Sequence, residues 1–274
     1  MSRLRLASAA FVALMIPAVA SAAFEELELG VSDQAMGGTG VLGTGPGSAL
    51  FNPASVALTE GIEASAAGRL PFTLADFATT GADVSAPLSG NWRASAGARF
   101  FGFSGYGEQL AYATIAGRLT REMSFGIQPV FGHVGIGDGV SEYGSATVFS
   151  VNAGFLVDIY DRWQVAASVR NPFESRLGES GEKMQRRLDI GVGYEPSPGM
   201  VSRLALSRDY RGMRILAGQA LPLGPLTLMA GVKSAPAQIC AGFAVRVSGI
   251  GFEYAVETHP ALDPTHSAGV CYAF

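Results

Sequence analysis

The chain has 274 residues, with 36 glycines, 14 prolines, 48% hydrophobic and 15% charged residues, and a formal net charge of −4. High hydrophobicity with low charge excludes a disordered chain. Glycine without a three-residue period excludes collagen, and scattered Lys and Arg leave no nucleic-acid footprint. Beyond the first twenty-odd residues no run of 18 apolar residues occurs, which argues against a helical membrane protein. Apolar residues spread thinly and evenly through a glycine-rich chain fit a transmembrane β-barrel.

Residues 1–22 read as a secretory signal peptide. Arg3 and Arg5 form the positive n-region, residues 6–20 the apolar h-region, and Ala20-Ser21-Ala22 the cleavage signal. Cleavage is expected after Ala22. No cysteine stands there, so lipidation is not expected.

Residues 23–60 lack strand alternation and are dense in Gly, Ala and Ser. Met36-Gly37-Gly38-Thr39-Gly40 fits neither nucleotide-loop pattern. Asn52-Pro53-Ala54 is a helix-start or turn signal, with Asn as cap and Pro at the first position. Leu50, Phe51, Val56 and Leu58 need burial. The segment is therefore expected to fold back into a barrel lumen as a plug, or hatch.

Period two then runs to the end of the chain. Phe149, Val151, Ala153, Phe155, Val157 and Ile159 share one face; Ser150, Asn152, Gly154 and Asp158 share the other, with Leu156 out of pattern. Leu188, Ile190, Val192 and Tyr194 alternate with Arg187, Asp189, Gly191 and Gly193. Fourteen strands are predicted, near 61–70, 73–85, 90–103, 108–119, 122–134, 146–159, 162–171, 184–195, 200–209, 212–222, 225–234, 237–247, 249–258 and 265–274. The stretch 73–85 is the least regular. The fold expected is all-β: residues 61–274 as an antiparallel outer-membrane β-barrel of about 14 strands. Short links at 120–121, 160–161, 195–199, 223–224 and 248 alternate with longer ones at 135–145, 172–183 and 259–264. Such barrels place short turns on the periplasmic side and longer loops outside. Trp163, Tyr194 and Tyr272, near strand ends, suit interfacial girdles.

The lumen-facing parity carries Asn152, Asp158, Arg170, Arg187, Asp189, Arg246, Glu253 and Glu257. Mixed signs read as a paired structural network or as a selectivity lining. His259 and His266 flank Asp263 in one loop, too few ligands for a metal site. No nucleophile and base can be singled out, so neither catalysis nor a cofactor is expected. Cys240 and Cys271 fall two strands apart, about 10 Å, beyond disulfide reach.

The stretch DQAMGGTGV…GPGSALFNPASVAL resembles the start of mature FadL-like outer-membrane proteins, the fatty-acid transporter family. The tail YAVETHPALDPTHSAGVCYAF looks like that of the related PorV/PorQ barrels, through Leu262, Thr265, His266 and Phe274. Asn171-Pro172-Phe173 is similar too. The resemblance implies a 14-stranded barrel in the outer membrane of a Gram-negative-type bacterium, with Met36, Gly37, Gly38, Asn52 and Pro53 in the hatch. It implies passage of a small hydrophobic molecule or, for the PorV/PorQ branch, a non-transporting accessory of protein secretion or surface attachment. The implied partners are membrane lipid, a hydrophobic small molecule and, in the second case, a secretion-system protein. The predicted loops are about a dozen residues or fewer, and 172–183 is charged, unlike the greasy capture loops of fatty-acid transporters.

Overall fold

In a computed structural model, which describes residues 23–25, 27–137, 141–160, 162–178 and 181–274, fourteen antiparallel strands close into one barrel. The expected signal peptide, 1–22, lies outside the described residues. The strands are β1 (Glu63–Leu70), β2 (Thr79–Ser89), β3 (Trp92–Phe103), β4 (Tyr106–Arg118), β5 (Met123–Gly137), β6 (Glu142–Ile159) and β7 (Trp163–Arg170). They continue with β8 (Arg187–Ser197), β9 (Met200–Asp209), β10 (Gly212–Leu223), β11 (Leu226–Ser234), β12 (Ala237–Val247), β13 (Ile250–Glu257) and β14 (Thr265–Ala273). Each strand pairs with its chain neighbours, and β1 pairs with β14 from Glu63↔Ala273 to Leu70↔His266. Closure leaves no sheet edge, so every backbone donor in the wall can be satisfied within it.

The alternation maps onto inside and outside. Phe100, Ile115, Phe131, Phe149, Ile190 and Phe252 are exposed on the outer wall. An apolar exterior of this extent requires lipid around it. Trp163 and Tyr194 face each other across β7 and β8 and stack at 4.5 Å between centroids. Tyr272 and Phe274 meet edge-on at the same distance. Both pairs sit at the short-turn end.

Three expectations need correction. The second strand does not begin at residue 73. Pro71–Thr73 and Ala75–Phe77 are 3-10 turns, and Phe72 and Thr73 sit in the left-handed region at φ 55° and 57°. The stretch 135–145 is not one long loop, because β5 and β6 extend to Gly137 and from Glu142. Loop lengths do not alternate cleanly either. At the loop end, 104–105, 210–211 and 235–236 are two-residue turns, and only 71–78, 171–186 and 258–264 are long.

Leu156, out of pattern in the sequence, faces inward and is fully buried. It packs against Val41, Leu42 and Ala54. The inside of the barrel is occupied: residues 27–43 and 48–57 are almost wholly buried against lumen-facing side chains. The N-terminal stretch enters beside the loop end, where the Phe24 N–H meets Glu108 of β4. It leaves at the short-turn end, where Arg93 holds the Glu60 carbonyl at 3.2 Å, and runs into β1.

Candidate functional site

The N-terminal stretch contains a short helix, α1 (Val31–Ala35), and 3-10 turns over Gly40–Leu42, Pro46–Ser48 and Pro53–Leu58. Pro53 opens the last of these turns and Asn52 caps it, its Oδ1 accepting the Ala54 N–H at 3.0 Å. Asn52 also donates to the Val41 carbonyl at 2.8 Å, tying two bends of the stretch together. Gly37 and Gly38 adopt φ of 71° and 76°, a turn that other residues reach only with strain.

Glycines on the inner wall receive this stretch. A Cβ on Gly231 would stand 2.2 Å from the Gly37 nitrogen, and one on Gly218 2.3 Å from the Met36 carbonyl oxygen. At Gly126 it would meet the Pro53 backbone at 2.4 Å, and at Gly154 the Asn52 side chain. Much of the glycine that marks the composition thus serves close backbone approach, not turns. Around these seats three apolar clusters join segment and wall. Leu27, Leu50 and Val56 meet Leu110, Val130 and Val148; Met36 meets Met229; Leu42 meets Leu156 and Leu216. Each fully buried side chain of this size is worth about 1.5–3 kcal/mol.

Charge fixes the register. Glu28, buried to 3% exposure, lies between Arg170 and Arg187. Arg187 donates to it from Nη1 at 3.1 Å and to Asp189 from Nε at 2.8 Å. Asp33 accepts from Arg203 at 2.9 Å and from the Ser48 hydroxyl at 2.6 Å. Arg99, with no exposed surface, donates to both oxygens of Asp83 at 2.9 and 2.8 Å, and its Nε holds the Leu27 carbonyl at 3.1 Å. The Ser32 N–H at the start of α1 donates to Glu253 at 3.2 Å. Charges held this deep need such partners, since an uncompensated buried ion costs several kcal/mol.

The expected lumen residues therefore separate. Arg170, Arg187 and Asp189 converge on Glu28, and Glu253 reaches α1. Asn152 belongs to an amide chain: it donates to Gln128, which donates to the Ala49 carbonyl, and it accepts from Asn171 N–H. Asn171, fully buried at φ 46°, also donates to the Met184 carbonyl at 2.6 Å and pins the 171–186 loop. Glu257 stands near the loop end between Lys233 at 2.6 Å and Arg69 at 3.3 Å. Asp158 and Arg246 stand at the short-turn end, where Arg246 meets Glu253 at 3.5 Å. Asp158 accepts from Gln164, and the Arg246 side chain is 72% exposed, so Arg246 does not line the interior. Its inward parity puts it at the rim because β12 ends one residue later. Glu28, Asp33, Asp83, Arg99 and Arg203 were not singled out in the sequence. The usable signal was scarcity: between residues 29 and 59 Asp33 is the sole charge.

Above the segment, at the loop end, lies a cavity of about 340 Å³. Phe72, Phe77 and Phe101 form one wall; Arg211, Arg214 and Lys233 form the other. The His259 ring meets Phe72 edge-on at 5.2 Å, and His266 shares a 2.6 Å hydrogen bond with Tyr254. Tyr210, in the turn before β10, is hydrogen-bonded to Glu25. Burial first, and then that bond, push its hydroxyl up to about 12. Cys240 and Cys271 are free thiols.

Solved structures share this architecture. The CymD monoaromatic hydrocarbon channel superposes with a TM-score of 0.72 at 12% identity, over 92% of this chain and 99% of that one. The Pseudomonas putida toluene transporter TodX gives 0.68 at 13%, over 91% and 98%. A Pseudomonas aeruginosa FadL homologue gives 0.60 at 10%, over 90% and 98%. The fold is that of the FadL-type outer-membrane barrels. No protein-family model matches the chain, and no curated protein matches it. Three of the seven loop-end links of this barrel are reduced to two residues.

Proposed function

We propose that this FadL-type barrel passes a small hydrophobic molecule across the outer membrane, with residues 23–60 as its plug and residues 36–58 as the gate. Residues 1–22 would then be the export signal and 61–274 the barrel proper. The observation that carries the reading is the loop-end cavity, which opens above the segment and has an aromatic wall. Its volume, about 340 Å³, lies at the lower end of ordinary ligand pockets. Arg211, Arg214 and Lys233, with Glu25 and Glu108 in the same lining, make part of the cavity polar and favour a compact molecule that carries a polar end beside its apolar body. Passage beyond the cavity needs the segment to shift or the wall to part, because the lumen beneath is filled. Solved structures with this fold include a monoaromatic hydrocarbon channel and a toluene transporter, in line with the reading.

One observation favours a second reading. Two-residue links at 104–105, 210–211 and 235–236 give three of the loop-end connections little length from which to build a capture groove. A PorV/PorQ-like accessory of secretion or surface attachment needs no such groove. Deleting residues 36–58 separates the two. Transport predicts altered uptake of a hydrophobic fluorescent probe by cells carrying the variant. The accessory role predicts unchanged uptake and loss of surface proteins. The variant barrel must first show its fast, heat-sensitive mobility in SDS.

A further inference from the structure

Glu108 stands near the loop end with its side chain only 4% exposed. Its Oε1 accepts from the Tyr106 hydroxyl and its Oε2 from the Phe24 N–H, each at 2.8 Å. Among the described residues, no Lys, Arg or His lies within ion-pair distance of it. Among the described residues, every other deeply buried carboxylate has such a partner: Glu28, Asp33, Asp83, Asp189, Asp209 and Glu257 each meet an arginine or lysine. Glu25 and Glu182 add negative charge around Glu108 instead of cancelling it. A buried carboxylate in such company lacks a cation.

One chain nitrogen follows from the Phe24 contact as a neighbour of Glu108. The Ala23 nitrogen is one residue before the Phe24 N–H, and consecutive Cα atoms are about 3.8 Å apart. Ala23 is buried, at 2% exposure. Phe24 is turned into the left-handed region at φ 63°. Its ring lies over Gly132, where a Cβ would come within 2.7 Å of Cζ. That seat holds the start of the segment against β4 and β5.

We propose that Glu108 is the docking site for the α-ammonium of Ala23, formed when the leader is removed, so that export processing completes the seating of the N-terminal segment. The proposal rests on residues 1–22 being a signal peptide cleaved after Ala22. A signal peptidase adds one water across the Ala22–Ala23 peptide bond. The carboxylate stays on Ala22, and the freed amine of Ala23 takes up a proton. Before cleavage that nitrogen is a neutral amide and Glu108 has no counter-charge. After cleavage the terminus and Glu108 form an ion pair beside the loop-end cavity, which Glu108 also lines.

The test uses the mature protein purified from outer membranes. Intact mass first identifies the starting residue. An amine-reactive acylating reagent is then applied at about pH 7.5, where an ordinary α-amine, with a pKa of about 7.7–8.0, is partly neutral and reactive. Each unit by which pairing raises that pKa cuts the reactive fraction about tenfold. Labelling of the α-amine, separated from lysines by peptide mass, is compared between the wild type, Glu108→Gln and a variant with one alanine inserted between Ala22 and Ala23. The expected result is a start at Ala23 and labelling at least about tenfold slower in the folded wild type than in either variant. All three should label equally once unfolded in hot SDS. A start at another residue overturns the processing premise. A start at Ala23 with equal labelling in the folded wild type and the insertion variant overturns the pairing itself. The insertion leaves Glu108 in place, so a folding defect in Glu108→Gln does not decide the outcome.

Discussion

Replacing Gly231 with alanine isolates the contact between segment and wall. The position lies in β11 with its inner face toward the turn at Gly37. The new methyl would stand 2.2 Å from the Gly37 nitrogen and 2.4 Å from the Met36 carbonyl carbon. Both are backbone atoms, so no side-chain rotation relieves the clash. The strand itself accepts alanine readily, so the cost falls on the seated segment. Overpacking of this kind costs about 1–3 kcal/mol; a value of about 2 kcal/mol shifts the balance between seated and displaced segment by about 30-fold. The assay is limited proteolysis of the folded protein in detergent, followed by N-terminal sequencing. Cleavage within residues 30–60 should accelerate by about that factor, while the temperature at which the barrel loses its fast SDS mobility stays within a few degrees of the wild type. Unchanged cleavage would show that the wall does not hold the segment through this seat.

Arg99→Met leaves Asp83 buried without its partner; the barrel should lose about 3–5 kcal/mol, read as an earlier thermal loss of SDS resistance, and Arg99→Met with Asp83→Leu should recover much of it. Asn52→Ala removes the cap on the Pro53–Leu58 turn and the bond to the Val41 carbonyl. About 1–2 kcal/mol of segment stability should go with them, seen as faster proteolysis near residue 50 with an intact barrel. Glu174 is held below its ordinary value of 4.5 by its hydrogen bond to Lys183, then by the charges of Lys183 and Arg186. A lowered carboxylate stabilises the folded form above its ordinary value, and that contribution fades as pH falls through the folded value. Protease access to the 171–186 loop should therefore rise on acidification below about pH 4.5 and stay flat between neutral and mildly acidic pH.

Strands with one apolar and one polar face were legible because alternation is local: β8 and β13 follow it residue by residue, and β6 does so over 149–159 except at Leu156. The start of β2 was not, because left-handed Phe72 and Thr73 carry no residue-type signal; only Pro71 marks the break. Leu156 looked like an irregularity because the sequence shows a wall and not what the wall faces. The same holds for the charges. Parity placed Arg170, Arg187 and Asp189 inside, yet their common partner, Glu28, lies 159 residues from Arg187 along the chain. Arg99 and Arg203 were passed over for the same reason, since their importance comes from Leu27, Asp83 and Asp33. Arg246 shows the converse limit, where correct parity at a strand end leads into water.

The seam between β1 and β14 joins residues about 200 apart in sequence, whereas neighbouring strands join residues about 20 apart. Loop-closure entropy grows with the logarithm of that separation, so the seam costs about 2 kcal/mol more than an ordinary hairpin. The N-terminal segment touches strands made early and strands made last, through Pro53 at Gly126 on β5 and Val31 at Gly269 on β14. It is also the first part of the barrel-forming chain to be synthesised. A ring closed before the segment entered would admit it only through an end, past packed side chains. The stretch packed inside the wall thus contacts strands that are far apart in the order of synthesis and joined in the closed ring.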